Sequence, residues 1–466
     1  MMPRAIVVAV MCATIAATSV SLRGQIMPAP QATPAPPALT LADLERMALE
    51  HNPTLPQAAS EIEAARGRAK QAGLLPNPTI GYSGDEISGG PVIRGGQHGL
   101  FVDQTIPLGG KLGLSRRIFE QQTTEAEALR DVQRQRVVND VRALYYGALA
   151  AERRVDLRRE LARIADEAVG VSRQLFNTGA ADSPDVLSSE IEARQTQLVL
   201  EAALNDRFRV WRQLAALVGD ASLTPGPLEG SLDAPIPELQ RDVVLRQILS
   251  ESPELRAAHA NVDRAQAALT RARREPIPDL VVRGGSRYNR ELVESAGRPI
   301  GWQAFIDAGL VIPLFNRNPG GIAESGAELG RAQREVTRLE LSLQSRAADV
   351  FDEYLTNLRY AETYRRDIIP RAEESYRLYL ARYREMGAAY PQVLVAQRTL
   401  SQVSEDYVRS AEMAWMASVR LQGLLLGGGL DAAPRVGEVA PAGQSGASDG
   451  RMGGMGMGAM SGVRRQ

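Results

Sequence analysis

Residues 301–321 read GWQAFIDAGLVIPLFNRNPGG, and this stretch decides the fold. Apolar side chains occupy every second position from Trp302 to Ile312, while Gln303 and Asp307 lie between them. A period of two predicts a β-strand with one apolar and one polar face, and the proline and Gly-rich turn that follow predict its end. In most of the remaining chain, apolar residues recur at spacings of three and four, as they do in helices. The protein is therefore predicted to be mainly α-helical, with a few isolated strands.

The end of this strand has a counterpart earlier in the chain, and three other segments recur in the same order. GLVIPLFNRN at 309–318 corresponds to QTIPLGGK at 104–111. The other pairs are NPTL at 52–55 with SPEL at 252–255, PNPTI at 76–80 with PIPDL at 276–280, and TGAADSPDVL at 178–187 with MGAAYPQVL at 386–394. Four matched segments in one order predict a duplication, with copies at 39–235 and 236–427.

Each copy follows one plan: a helix, two strands joined by a loop, a very long helix, a Gly/Pro break and a final helix. The first helix is predicted from Leu41 to Leu74, with Thr40 as its N-cap. The very long helices are predicted at 113–177 and 320–386. Their apolar residues alternate spacings of four and three, as in a coiled-coil seam, with a phase shift after Val155 in the first copy. The strands are predicted at about 78–87, 98–107, 278–290 and 302–313.

The two ends of the chain are predicted to lie outside the folded repeats. Arg4 precedes an apolar run that ends in small residues, which is typical of a secretory signal peptide, and we assign the signal to residues 1–24. A Pro-rich linker follows at 25–38, and the Gly/Met-rich tail at 428–466 has a composition typical of disorder. Cys12 is the only cysteine and lies in the signal. The mature chain is therefore expected to use neither disulfides nor thiolate metal sites.

The composition argues against several functions. The 54 basic and 55 acidic residues balance to a net charge of −1, which gives no sign of nucleic-acid binding. The sequence has no Ser-His-Asp arrangement with supporting context and no phosphate loop, so we predict neither an enzyme nor a cofactor. The three histidines, His51, His98 and His259, have no metal-ligand spacing, and packing or solvated roles are favoured over a zinc site.

Two interpretations of the four strands remain open at this point. A tilted strand of about ten residues is long enough to cross the hydrocarbon layer, and alternating polarity suits lipid on one face and water on the other. Four strands cannot close a barrel, and lipid does not tolerate a free sheet edge, so a membrane sheet requires several chains; three would supply twelve strands. The alternative is a pair of soluble hairpins that cap a helical bundle.

The ordered segments also carry a family likeness. The segments NPTL at 52–55, AGLLPNP at 72–78, IPLGGK at 106–111 and IPLFNRNPGG at 312–321, with the two Gly…Pro-x-Val-Leu breaks, resemble the TolC-like outer membrane efflux family. The likeness covers residues 39–427. Within that family, PNP before the first strand and IPLFNRN at the end of the last are most similar to the CzcC-type proteins of heavy-metal efflux systems.

The resemblance implies a fold class and a set of partners. The fold is mainly α with membrane β: long antiparallel coiled-coil helices form a trimeric α-barrel, and four strands per chain contribute to a 12-stranded outer-membrane β-barrel. The homotrimer would be the exit duct of a tripartite pump for heavy-metal cations. Its partners would be outer-membrane lipid, a periplasmic adaptor (membrane fusion protein) and an inner-membrane RND-type transporter. The rival interpretations are export of drugs or other organic compounds, and a soluble periplasmic coiled-coil adaptor.

The resemblance also places the two Gly/Pro breaks at the periplasmic tip of the helices, where such channels narrow. The tip turns contain Gly179, Pro184, Gly387 and Pro391. Asp182 and Asp185 are the candidates for a ring of carboxylates that favours cations at an aperture. As alternatives, Asp182 or Ser183 caps the helix that follows, ahead of Pro184 in its first turn, and Asp185 is an ordinary surface residue.

Two further groups of residues are candidates for binding roles. Tyr288 and Trp302, at strand ends, are predicted to anchor at the membrane interface, while Gln303 and Asp307 are predicted to face a water-filled lumen. In the tail, thioether sulfurs suit soft cations such as Cu(I), although Gly-Met repeats are also common low-complexity sequence. These candidate metal ligands are Met452, Met455, Met457 and Met460.

Overall fold

The computed structural model describes residues 38–87, 96–292 and 297–436. Its helices are α1 (Leu41–His51), α2 (Thr54–Ala72), α3 (Lys111–Asn177), α4 (Ser183–Val218), α5 (Arg241–Glu251), α6 (Pro253–Arg274), α7 (Pro319–Thr363), α8 (Ile369–Arg384) and α9 (Tyr390–Gln422). Its strands are β1 (Thr79–Asp85), β2 (Gln97–Ile106), β3 (Leu280–Leu292) and β4 (Pro299–Leu310). The predicted signal peptide and the four tail methionines lie outside the described residues. The order of elements repeats from α5 onward, as the duplication predicts.

The first helix of each copy is broken where a single helix was predicted. Thr40 forms the predicted N-cap of α1, since its Oγ1 accepts a hydrogen bond from the backbone N–H of Asp43 at 3.0 Å. The helix nevertheless ends at His51, because Pro53 has no N–H for the helical ladder. Asn52 lies just before the next helix, and its Oδ1 accepts a hydrogen bond from the backbone N–H of Thr54, the first residue of α2, at 3.0 Å. The prediction of one helix at 41–74 is therefore wrong.

The long helix is continuous in the first copy and interrupted in the second. α3 runs for 67 residues, which confirms the helix predicted at 113–177. The helix predicted at 320–386 instead contains a π-helical turn, Tyr364–Ile368, between α7 and α8. Pro370 explains it, since a proline inside a helix removes one donor and clashes with the carbonyl four residues earlier. Within the described residues, none of these helices is apolar enough over a sufficient length to cross a membrane.

The π turn lies at the same height as the phase shift in the first copy. Thr363 is the last of the 45 residues of α7, and Val155 occupies the same position counted from the start of α3. One copy therefore changes its coiled-coil phase without leaving α-helical geometry, whereas the other inserts a residue into the helical turn. In each copy, this change moves the apolar seam to a different side of the helix in the residues that follow.

The four strands form one antiparallel sheet in the order β1-β2-β3-β4. All four predicted strands are present, with ends displaced by up to three residues. β4 spans 299–310 rather than 302–313, because its ladder with β3 ends at the pair Leu280–Leu310. β1 and β4 each have a single neighbour within the described chain, so the sheet has two open edges.

The helices pack around α3, which contacts α2, α4, α6 and α9. α7 packs against α6 and α9, and α8 packs against α9 and α3. Large buried side chains fill the seams, among them Trp211 on α4 and Tyr354 on α7, both about 1% exposed. The linker between the copies crosses these helices and is held by donors from their cores. One of them is Trp415, whose Nε1–H donates to the carbonyl oxygen of Leu232 at 3.2 Å.

Residues 428–436 are part of the folded unit, which corrects their assignment to a disordered tail. The backbone N–H groups of Gly428 and Gly429 both donate to Asp140 Oδ2, at 3.0 and 2.6 Å. Val436, at the end of this segment, packs against a small cluster that contains Ile62. Composition misled the prediction, because glycine here allows close backbone approach to α3: a Cβ on Gly429 would lie 2.9 Å from Val137 Cα.

An ion pair with a buried lysine joins the sheet to the helices. Lys111 Nζ lies 2.8 Å from Asp279 Oδ1, and the lysine side chain is only 5% exposed. The same carboxylate oxygen accepts from the backbone N–H of Leu108 at 3.3 Å. Lys111 begins α3 and Asp279 immediately precedes β3, so this pair ties the turn from β2 into α3 to the turn from α6 into β3.

We predict that Lys111→Met lowers the stability of the folded chain by about 1.5–3 kcal/mol, the usual range for hydrogen bonds to charged groups. Methionine preserves the length of the side chain and removes its charge. The measurement is the thermal melting temperature in detergent, followed by circular dichroism. Lys70→Met is the matched control, since Lys70 is the only other lysine and is exposed on α2. Equal melting temperatures for the two variants would contradict the prediction.

Candidate functional site

The sheet has one face that is apolar and open. We call it the apolar sheet face. Its large members are Ile80, Tyr82, Leu100, Val102, Trp302, Ile306 and Leu310. Ile80, Val102 and Ile306 belong to one row across the sheet, and the two edge residues of that row, Ile80 and Ile306, are 74% and 80% exposed. Soluble monomers rarely expose a contiguous apolar surface of this kind, so the face is built to be covered.

The two predicted interface anchors lie on this apolar sheet face. Tyr288 and Trp302 are cross-strand partners in β3 and β4. Their rings meet edge to face with centroids 5.6 Å apart, and Trp302 is 73% exposed. They lie toward the end of the sheet away from the helices, where an aromatic girdle would be expected in a membrane protein.

The opposite face carries charges and is called here the polar sheet face. Thr79, Asp103, Arg283 and Asp307 form one row across the four strands. In the adjacent part of this face, Arg287 is paired with Gln303 in β4, and its Nη1 lies 3.7 Å from Asp85 Oδ2. Gln303 and Asp307 thus share the face that the sequence pattern assigned to them, opposite the apolar one.

Two phenylalanines cover glycines on the polar sheet face in a repeated arrangement. Phe101 lies over Gly81, where an added Cβ would come within 2.5 Å of the ring, and the guanidinium of Arg283 stacks at 3.8 Å from the ring centroid. Phe305 covers Gly285 in the same way, with the guanidinium of Arg287 at 5.5 Å. The stacked arginines lie along the sheet instead of extending from it.

Sequence reasoning missed these arginines, although a signal was present. Arg283 and Arg287 are four residues apart in RGGSR, and a period of two places both on one face of a strand. The adjacent glycines weakened the strand pattern, because glycine is uncommon in strand interiors. The reason for a glycine at such a position, Gly285 for example, is that a phenylalanine ring of the neighbouring strand lies over it, which the sequence alone does not show.

The second candidate region is the pair of turns at the far end of the long helices. In the first copy, Gly179 adopts a left-handed conformation, φ +72°, and the following residue closes the turn by donating to the Leu175 carbonyl at 2.8 Å. In the second copy the left-handed residue is Met386, φ +59°, and Gly387 closes the turn to Arg382 at 2.8 Å. The turn of the second copy is one residue shorter, and its left-handed position is occupied by Met386 instead of the neighbouring Gly387.

The prolines of both turns lie where a helix start tolerates them. Pro184 and Pro391 occupy the first turn of α4 and α9, where a missing N–H costs no hydrogen bond. Asp182 is the N-cap residue of α4, yet its side chain makes no capping hydrogen bond. The alternative of a side-chain cap by Asp182 is thus wrong, and its carboxylate is exposed at the tip.

The two candidate carboxylates of the tip influence each other. Partial burial, together with the negative charge of Asp182, raises the pKa of the Asp185 carboxyl above its ordinary value. Asp185 also acts on Tyr383 of α8: burial and this nearby negative charge raise the pKa of the Tyr383 phenol. The structure thus brings Asp182 and Asp185 together in one acidic turn, to which the second copy contributes Tyr390 and Gln392 at the equivalent places.

A tyrosine cluster lies behind this acidic turn and was not found from the sequence. Tyr383 donates to Ser172 Oγ at 3.2 Å, and its ring centroid lies 5.7 Å from that of Tyr390. Burial raises the pKa of Tyr376, one heptad earlier on α8, to about 12. The seven-residue spacing of Tyr376 and Tyr383 was the available signal, since it places both on one helix face.

No group of three or more histidine, cysteine, aspartate or glutamate side chains in the described part of the chain is arranged to hold a metal ion. The three histidines are not brought together. His51 contacts the carbonyl of Met47 at 3.0 Å, and His98 meets Tyr82 on the sheet.

Comparison with known proteins gives a consistent result. The sequence profile described as outer membrane efflux protein matches residues 44–220 and 244–427, one match in each copy. The chain is 26% identical to the cobalt-zinc-cadmium resistance protein CzcC of Cupriavidus metallidurans, over 83% of this chain and 90% of that protein. It is 24% identical to the toluene efflux pump outer membrane protein TtgF of Pseudomonas putida, over 84% of each.

Solved structures show the same fold. A crystal structure of CusC, reported in connection with folding and transmembrane channel formation, aligns with a TM-score of 0.69. The alignment covers 83% of this chain and 92% of CusC at 16% identity, a level at which the likeness concerns the fold alone.

The tip turns give a matched pair of stability predictions. Gly179→Ala should lower stability by about 1 kcal/mol, because a side chain disfavours a left-handed backbone. Nothing lies within 4 Å of the added methyl group, so crowding does not contribute. Met386→Gly should raise stability by a similar amount for the same reason. Melting temperatures in detergent check both changes, and shifts of the same sign in the two variants would contradict the assignment.

Proposed function

This chain belongs to the outer membrane efflux protein family, and on that premise we propose that three copies form a channel through the outer membrane that serves as the exit duct of a tripartite efflux pump. The observation that carries the proposal is the two-faced sheet with two open edges. β4 of one copy pairs with β1 of the next, so that three sheets close into one barrel of twelve strands.

The chemistry of the two faces suits such a barrel. The apolar sheet face meets lipid, which removes its exposed side chains from water. The polar sheet face, with Asp103, Arg283 and Asp307 in one row, lines the water-filled lumen. Edge pairing satisfies the backbone groups of β1 and β4, which lipid cannot hydrogen-bond.

The helices continue this channel into the periplasm. At a rise of 1.5 Å per residue, the 67 residues of α3 make a rod of about 100 Å. The tip turns at its far end meet a periplasmic adaptor and an inner-membrane transporter of the RND type, which supplies the energy. The chain itself contributes a passage and no covalent chemistry.

We propose heavy-metal cations as the cargo, by similarity to the cobalt-zinc-cadmium resistance protein over most of both chains. Export of organic compounds is the second candidate, favoured by the match to the toluene efflux protein. A strain that lacks this gene distinguishes them. Loss of tolerance to cobalt, zinc or cadmium supports the metal cargo, whereas unchanged metal tolerance with gained sensitivity to solvents or drugs overturns it.

We predict that cysteines on β1 and β4 crosslink neighbouring copies. Cys12, the only native cysteine, lies in the predicted signal and is replaced by serine. Ile80→Cys is combined in turn with cysteine at even positions 302–310 of β4, which share its face. Within one chain two strands separate these sites by about 14 Å, too far for a disulfide. Oxidation in membranes should therefore give trimers for at least one register.

The control for crosslinking is Arg371→Cys on α8, an exposed helical site whose side chain is 78% accessible. Combined with Ile80→Cys, it should give no specific trimer. Failure of every β1–β4 combination, in membranes where the protein is folded, would contradict barrel closure by edge pairing.

We predict that Asp185 contributes to cation selectivity at the tip. Asp185→Lys should shift the reversal potential of single channels toward anions, since three copies change the aperture charge together. Because its pKa is raised, protonation of Asp185 should weaken cation selectivity at a pH above the ordinary value of 3.8. Asp185→Asn should abolish that step in the pH profile.

Gln392→Asn is the matched control for Asp185, because Gln392 holds the equivalent place in the second copy and carries no charge. It should leave both the reversal potential and its pH dependence unchanged. An identical reversal potential in Asp185→Lys and the parent channel would leave Asp185 without a role at the aperture.

A further inference from the structure

A second exposed apolar surface lies where the helices join the sheet. We call it the apolar collar, and its members are Leu74, Leu75, Leu108, Ile312, Leu314 and Phe315. All six belong to the turns that enter β1 or leave β2 and β4 at the helical end of the sheet. Leu75 is 58% exposed, Leu314 is 67% exposed and Phe315 is fully exposed. Leu314 and Phe315 therefore contribute little to packing within the described chain.

In the first hairpin, the apolar sheet face is too short to account for membrane insertion by itself. It extends there from Leu100 to Ile106, with Gln104 as a polar residue between them, because the next residue of that face toward the outer end is His98. Six residue steps make about 20 Å of strand, and a tilt of about 40° reduces this to roughly 15 Å. An apolar band of about 25 Å is typical of such barrels. The hairpin is therefore short by roughly 10 Å.

The collar continues the apolar surface where it falls short. Leu74 and Leu75 precede β1, and Leu108 follows β2, so they extend the first hairpin toward the helices. Ile312, Leu314 and Phe315 extend β4 in the same direction. Along the chain, the exposed apolar residues of the strands are thus followed directly by exposed apolar residues of the turns.

Exposed arginines lie just beyond the collar on the helical side. These are Arg117 near the start of α3, Arg273 and Arg274 in the last turn of α6, and Arg317 before α7. Nearby acidic groups are engaged: Glu120 pairs with Arg116 at 2.8 Å, and Asp279 pairs with Lys111. An apolar band followed by guanidinium groups matches the order of acyl chains and headgroup phosphates in a leaflet.

We propose that the apolar collar is a lipid-binding surface, on which the turns between sheet and helices are embedded in the acyl chains of the periplasmic leaflet while the adjoining arginines contact headgroup phosphates. The inference rests on the proposed function, since it needs the sheet to lie in the membrane. It adds that membrane contact does not end with the strands.

The test uses single cysteines on a Cys12→Ser background, each labelled with an environment-sensitive fluorophore. The protein is reconstituted in phosphatidylcholine vesicles that contain lipids with a doxyl quencher either near the headgroup or deep in the chain. Leu75→Cys and Phe315→Cys report on the collar, and Ile306→Cys reports on the apolar sheet face. Arg371→Cys on α8 is the aqueous control. All four positions are exposed, so the substitutions leave the core intact.

The collar labels should lose fluorescence mainly to the shallow quencher, the Ile306 label should respond to the deep one, and the Arg371 label to neither. Quenching at Ile306 with none at Leu75 and Phe315 overturns the collar and leaves the channel proposal intact. An absence of quenching at Ile306 as well overturns the proposed function itself. If the collar labels resist both lipid quenchers and aqueous iodide, a second copy covers the collar and the lipid assignment is wrong.

Discussion

The backbone groups along the two open edges of the sheet impose the constraint on which the rest of the structure depends. A single four-stranded sheet with an exposed apolar face is unfavourable in water, because the apolar face is hydrated. It is also unfavourable in lipid, because the backbone groups of its two edges have no hydrogen-bond partners there. In the proposed channel, pairing with further copies resolves both conflicts. The rest of the chain is consistent with this requirement. The long helices all lie at one end of the sheet, and the turns at that end contain the Lys111–Asp279 ion pair and the apolar collar.

The duplication gives each copy one pair of strands, and the two copies differ mainly in their long helices and in their tip turns. The coiled-coil seam changes phase at one height in both copies, through a continuous helix in α3 and through the π turn ahead of Pro370 in the other. At the tip, the first copy supplies a glycine for the left-handed position and two carboxylates, while the second supplies Met386 and a tyrosine-rich seam. A ring built from three chains would therefore alternate in chemistry around the channel.

Much of the fold could be read from residue patterns, because alternation and coiled-coil spacing are local signals. The strand from Trp302 onward, the 67-residue α3 and the repeated turns were predictable in this way. The break at Pro53, the π turn at Pro370 and the packed segment 428–436 were not, since a proline or glycine does not reveal what the surrounding helices require of it. The same holds at the sheet: Arg283 acquires its place from Phe101, on a neighbouring strand distant in sequence. Whether Asp185 gates the channel is a prediction that only an assembled ring can test.

The folded chain is proposed to be one third of a membrane channel. The most direct measurement is the mass of the complex extracted from outer membranes in mild detergent, determined by native mass spectrometry after the detergent is stripped. We expect three chains, each of 50.4 kDa less the predicted signal peptide, with no stable smaller species. A folded monomer that washes from the membrane with salt or carbonate would contradict it.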